Sequence, residues 1–229
     1  MRVNPVDNSP MAGIQQDLGR IRGGVALATR IFDSWHDWNT GIQELPLLAP
    51  SVSLKRLGAA VEFARRFHGN QRRPAGEPYM EHLLEVLEIL VLGAGIHDED
   101  VLVSAILHDV VEDTDCTIDE VREEFGPRVA GLVAWVTKPE PAPGEDPGEV
   151  RLRYLRSIRS APGEVVSLKL ADRYSNVQRL STHPRPEKQR SYYSETCESI
   201  VPLSAGIPWF EEAFRSWRNS HQYLESPAV

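Results

Sequence analysis

The sequence predicts an all-α domain. Three observations carry that reading: apolar residues recur three or four apart along most of the chain, strand-like alternation is scarce, and the separators are loops with turn or capping chemistry. From Ile14 to Trp38 the apolar positions Ile14, Leu18, Ile21, Val25, Ile31, Phe32, Trp35 and Trp38 fall mostly at helical spacing, with Gly23-Gly24 as a break. Residues 1 to 50 thus read as a helical extension and linker, packing on the core or on a second subunit and able to support a homo-oligomer. "LPLLAPSVS" reads as the linker, since Pro46 and Pro50 oppose a helix interior and Ser51 or Ser53 can cap the next helix.

Residues 51 to 229 form the main domain. Periodicity predicts helices over roughly 54–68, 81–94, 98–112, 118–137, 148–160, 163–181, 186–203 and 208–222. Between them, "RRPAGEPY" and the acidic "KPEPAPGEDPGE" are loops, and "DCTIDE" carries a helix start.

At 229 residues, the chain is long enough for one substantial core. Its 41% hydrophobic content excludes wholesale disorder. The formal charge of −8, from 25 basic and 33 acidic residues, opposes non-specific attraction to nucleic acid or anionic membrane. Cys116 and Cys197 lack CxxC spacing, so neither a disulfide framework nor a thiolate zinc site is indicated. No apolar run approaches a membrane span and the N-terminus lacks a secretory core, so a cytoplasmic protein is expected.

The chemistry concentrates in "ILHDVVEDTD", residues 106–115. On a helix with His108 at zero, Asp109 falls at about 100°, Glu112 at about 40° and Asp113 at about 140°, opposite the apolar face of Val103, Ile106, Leu107, Val110 and Val111. Carboxylates crowded beside an imidazole repel one another unless a cation or proton intervenes. A His-Asp pair cannot complete a metal site alone, so further ligands must come from facing helices. His82, near a helix start, is one candidate, although such a histidine also serves as a cap or surface residue. Asp172 is another: it lies in an apolar pattern with Leu168, Ala171 and Val177, where a carboxylate needs a metal or an ion pair. Asn176 follows one turn later.

"HGNQRRPAGEPYMEHLLEVLEIL", "AILHDVVEDTDCTIDEVREEFGPRVAGLVAWVTK" and "VVSLKLADRYSNVQRL" together resemble the HD-domain hydrolases of the RelA/SpoT kind, from about Leu54 to Leu203. That resemblance implies an HD-domain helical bundle that removes the 3′-pyrophosphate from ppGpp and pppGpp. It implies a Mn²⁺ site on His82, His108, Asp109 and Asp172, although this ligand set also admits Fe²⁺, Zn²⁺ or Co²⁺. It further implies a catalytic pair, Glu112 and Asp113, serving the attacking water, and substrate contacts at Arg73 and Asn176. Lys169, Arg173 and, by analogy with small hydrolases, Tyr193 complete the expected nucleotide-binding set; Arg72 and Arg179 are further cations, and Arg173 can alternatively brace the carboxylates. His68 is read as structural.

The chain departs from the pattern at Pro74, where a basic residue is common, at Leu83, where proline is frequent, at Ser175, where His or Tyr is frequent, and at Gln178, where Arg is common. Two other functions compete: hydrolysis of another phosphorylated nucleotide such as NADPH, and a non-catalytic nucleotide sensor.

Overall fold

The computed structural model describes residues 32–225. Among these residues the regular structure is helical, and the sole strand-like feature is an isolated antiparallel bridge between Arg72 and Pro78. Eleven α-helices follow in order: α1 (Trp38–Leu48), α2 (Leu54–His68), α3 (Tyr79–Glu88), α4 (Glu99–Leu107), α5 (Val110–Asp113), α6 (Ile118–Phe125), α7 (Pro127–Val136), α8 (Pro147–Ile158), α9 (Gly163–Val177), α10 (Pro186–Glu195) and α11 (Pro208–Ser220). None is long and apolar enough to cross a membrane.

α4 is the axis of the bundle. Its residues from Val101 to Leu107 are all buried, which follows from a segment apolar on every side. It packs against α2, α3, α7 and α9, and α9 also packs on α3 and α7. Sequence-local chemistry sets the helix starts. Asp98 accepts from the Asp100 and Val101 amides, Ser53 caps α2, and Thr117 forms a reciprocal capping box with Glu120.

Four expectations need correction. Helix 98–112 is broken at His108-Asp109: the His108 ring Nδ1–H donates to the Ala105 carbonyl at 2.8 Å, taking the acceptor that a continuing helix would offer to Asp109, which stands at φ −102° and ψ −4°. Helix 118–137 divides at Gly126, whose φ of +92° suits glycine, and Pro127 opens the next helix. Pro46 lies inside α1; it sits near the end, where one missing donor costs a single bond, and the Ala49 amide still reaches the Leu45 carbonyl at 2.8 Å. Trp38 opens a helix instead of closing one, because the Asp37 side chain accepts from the Thr40 amide at 2.9 Å. Residues 32–37 of the anticipated 14–38 helix form irregular chain, turns and bends instead of helix; the part before residue 32, and any subunit contact through it, lies outside the described residues.

The segment before residue 51 shares the domain's core: Phe32, Trp35, Leu45 and Ala49 are buried in the same cluster as α4. Phe32 meets Tyr174 and Trp209 edge-on, with ring centroids 6.3 and 5.5 Å away.

At the end of α3 the backbone widens into a π-turn over Ile89–Gly93, where the Ala94 amide bonds the Ile89 carbonyl at 3.0 Å. The Trp209 indole fills the space a side chain at Gly93 would need, its nearest atom 2.6 Å from an added Cβ. Gly93→Ala is therefore expected to lower stability by about 1–3 kcal/mol through overpacking. Gly58→Ala, inside α2 and no closer than 3.7 Å to Trp38, is expected to gain about 0.5–1 kcal/mol. Urea unfolding of both variants measures the contrast, and equal effects would refute it.

Candidate metal centre

Three packed helices bring together the four side chains that the sequence scatters over 91 positions. His82 comes from the first turn of α3, His108-Asp109 from the break after α4, and Asp172 from the middle of α9. One ligand atom of each lies within 4.8 Å of the others. The two Nε2 atoms are 3.2 Å apart; Asp109 Oδ2 lies 3.0 Å from His108 and 3.4 Å from His82, and Asp172 Oδ1 lies 3.7 and 3.6 Å from them. His82 is buried and is neither a cap nor a surface residue.

The neighbours of the imidazoles decide their tautomers. His108 Nδ1 faces the Ala105 carbonyl, an acceptor, so it carries the proton. His82 Nδ1 lies 2.8 Å from Ser175 Oγ, whose own hydrogen goes to the Glu85 carboxylate at 2.6 Å, so this nitrogen is also the donor. Both Nε2 lone pairs then converge on the same point as two carboxylate oxygens. Two imidazoles and two carboxylates, three of the four buried, face one another so closely that a proton or a cation must offset the carboxylate charge, and the imidazole–carboxylate set fits a divalent first-row metal. Burial disfavours the charged His108 ring, yet Asp109 and Asp172 outweigh it and raise its pKa well above the ordinary histidine value. Burial would raise Asp109 and Asp172; the histidines hold the first well below the usual carboxylate range, and chiefly Lys169 does so for the second.

Asp172 is braced on both oxygens. Lys169 Nζ donates to Oδ2 at 2.9 Å, and Asn176 Nδ2 donates to Oδ1 at 2.6 Å. Asn176 also accepts from Arg73 Nη2 at 3.2 Å, linking the quartet to the loop before α3. Arg73 with Pro74, Asn176, Arg179 and His183 lines a cleft there. Glu112 accepts from the Lys138 amide at 2.9 Å and its Nζ at 2.8 Å, while Asp113 lies 2.6 Å from the Tyr79 hydroxyl.

Other expected binding residues sit further back. Arg173 is buried, donates to Glu195 at 2.5 Å and lies over the Tyr192 ring; it braces Glu195, with no contact to the quartet's carboxylates. Tyr193 is buried against Trp217, and its hydroxyl donates to Glu225 at 2.9 Å. Its neighbour Tyr192 instead lines a second cleft, with Arg151, Lys188, Ser191 and Glu195. His68 stacks on Tyr79, its Nδ1 2.8 Å from Gln71.

Sequence reasoning missed Tyr79, Glu85 and Tyr192. The Tyr79 hydroxyl is 2.6 Å from both Asp109 and Asp113, tying a ligand to the expected catalytic pair. Burial, with those two carboxylates, raises its pKa far above that of a free phenol, so the hydroxyl keeps its proton. A signal was available: Tyr79, His82 and Glu85 are spaced i, i+3, i+6 on one helix face.

The HD domain family matches residues 60–206. A guanosine-3′,5′-bis(diphosphate) 3′-pyrophosphohydrolase of Aquifex aeolicus is 37% identical over 169 residues, covering 72% of this chain and 24% of that protein. The bifunctional (p)ppGpp synthase/hydrolase SpoT of Escherichia coli is 36% identical over 158 residues, 68% of this chain and 22% of SpoT. The chain thus spans about a quarter of the length of these bacterial relatives. The human guanosine-3′,5′-bis(diphosphate) 3′-pyrophosphohydrolase MESH1 is 44% identical over 163 residues, 68% of this chain and 89% of MESH1. A solved structure described as "A metazoan ortholog of SpoT hydrolyzes ppGpp and plays a role in starvation responses" superposes with a TM-score of 0.65 at 28% identity, covering 73% of this chain and 97% of that one.

Burial alone would raise the Glu195 pKa, but Arg151 and Arg173 bring it down to about 2. Since this folded-state value lies below the unfolded one, the pairs stabilise the fold fully above the ordinary glutamate pKa and lose that contribution as pH falls toward 2. Glu195→Gln is expected to cost about 2 kcal/mol at neutral pH and to flatten the loss of stability between about pH 5 and pH 2. Denaturant titrations at several pH values read both effects; a parallel acid limb in the variant would refute the assignment.

Proposed function

This chain belongs to the HD-domain family, and from that premise we propose that it is a metal-dependent hydrolase that cleaves the 3′-pyrophosphate from ppGpp and pppGpp to give GDP or GTP and pyrophosphate. The observation that carries the proposal is the convergence of His82, His108, Asp109 and Asp172 with both imidazole lone pairs directed inward. The likeness to proteins named as (p)ppGpp hydrolases supports the substrate.

A divalent ion on this quartet, Mn²⁺ in the proposal, supplies Lewis acidity toward a phosphoryl oxygen and a more acidic water. The protein groups divide the remaining work. Glu112 and Asp113 act as the acid–base pair, taking the proton of the attacking water and returning one to the departing ribose oxygen. Tyr79 holds Asp113 at a fixed place beside Asp109. Asn176 carries the position of Asp172 to Arg73, which engages the pyrophosphate together with Arg179 at the first cleft. Lys169 offsets negative charge beside Asp172. The cleft of Tyr192, with Arg151 and Lys188, receives the rest of the nucleotide: the ring offers a stacking face and the cations meet its 5′-phosphates.

Purified full chain with Mn²⁺, offered ppGpp, pppGpp, NADPH and mononucleotides side by side, tests the proposal. Pyrophosphate release from the two alarmones is expected, abolished by chelator and restored by Mn²⁺. Release of orthophosphate from NADPH alone would overturn the substrate. Glu112→Gln is expected to lower kcat by about 10²–10⁴-fold with KM little changed, since its carboxylate acts on the proton in flight; an unchanged kcat would remove it from the catalytic pair.

A further inference from the structure

Glu85 is buried one turn behind His82, and its partners form a continuous hydrogen-bonded line. Glu85 Oε2 accepts from Ser175 Oγ at 2.6 Å, Gln178 Nε2 at 3.1 Å and Arg73 Nη1 at 3.1 Å, while Oε1 accepts from Arg179. On one side the line ends at His82, through Ser175. On the other it ends at the backbone of Phe32: the Phe32 amide donates to Gln178 Oε1 at 2.9 Å, and Gln178 Nε2 donates to the Phe32 carbonyl at 3.0 Å. Both hydrogens of the Gln178 amide are thus used, one on Phe32 and one on Glu85, so the orientation of that amide is set by where Phe32 lies. Phe32 is itself fully buried between Tyr174 and Trp209.

We infer that Ser175, Glu85 and Gln178 form a positioning relay through which the docked Phe32 segment, outside the matched HD region, orients His82 as a metal ligand. The relay has a direction. A buried carboxylate draws the Ser175 hydrogen, which turns a Ser175 lone pair toward His82 and keeps the ring proton on Nδ1. The opposite nitrogen then presents its electron pair to the ion. Ser175 and Gln178 are two of the positions at which the chain departs from the family pattern, and they share one carboxylate, so the two departures act together. Neither needs to touch substrate to matter.

This inference rests on the quartet being a metal site. The experiment is therefore substrate-free titration of the full chain with Mn²⁺ at constant pH, following the electron paramagnetic resonance of free Mn²⁺, for the unaltered protein, Ser175→Ala, Gln178→Met and the double variant. Ser175→Ala is expected to weaken Mn²⁺ binding by about 10–100-fold, the usual scale for losing a group that orients a ligand. Gln178→Met is expected to weaken it several-fold, and the double variant to bind no worse than Ser175→Ala beyond about twofold, because both changes cut one line. Val121→Ala, which removes buried core volume in α6 away from the relay, is expected to leave Mn²⁺ affinity unchanged and separates orientation from general destabilisation.

Unaltered affinity in either single variant, or losses that multiply in the double, overturns the relay. If Ser175→Ala does not fold, Gln178→Met decides alone by the same criterion. Failure of the unaltered protein to bind Mn²⁺ overturns the metal reading and the relay with it, whereas Mn²⁺ bound equally by all variants overturns the relay only.

Discussion

Four electron-pair donors held within 4.8 Å of one another in a mostly buried pocket impose the constraint on which this structure depends. Left alone they repel, and burial removes the water that would soften the repulsion. Each donor is accordingly held by a neighbour: His108 by a backbone carbonyl, His82 by Ser175, Asp109 by Tyr79, and Asp172 by Lys169 and Asn176. These braces prevent the side chains from swinging away, so the fold stores an arrangement that a divalent cation relieves.

The bundle is arranged to make that storage rigid. α4 is buried from Val101 to Leu107 and packed by four other helices, so the residues at its end project from a closely packed element. Breaking the helix at His108-Asp109 turns the two adjacent residues toward one centre, which a continuous helix would place about 100° apart. The histidine causes the break, since its ring takes the Ala105 carbonyl, and the same bond selects its tautomer. One hydrogen bond thus joins local backbone geometry to metal chemistry.

Around the centre the cations separate into two kinds. Lys169 and Arg173 are committed to carboxylates inside the protein, Asp172 and Glu195 respectively. Arg73 and Arg179 share Glu85 and also line an open cleft, while Arg151 lines a second cleft beside Tyr192. Positive charge at the clefts offsets a chain that is acidic overall and gives a polyanion a local reason to approach.

The sequence by itself determined the helical class, the approximate helix starts near residues 54, 98 and 118, and the family, because periodicity and capping are local properties and the family's motif blocks are short and contiguous. It misjudged the continuity of two helices, since a ring nitrogen competing for a carbonyl at Ala105 and a left-handed glycine at 126 override an apolar period. Only the tertiary structure decided that Tyr79 bridges Asp109 and Asp113, that Tyr192 and not Tyr193 lines a cleft, and that Ser175 and Gln178 meet at Glu85. Those pairings join residues 30 to 93 positions apart. Which of two neighbouring side chains turns inward, and which acceptor a hydroxyl finds, depends on the packing of α3, α4 and α9, and no spacing along the chain encodes that packing.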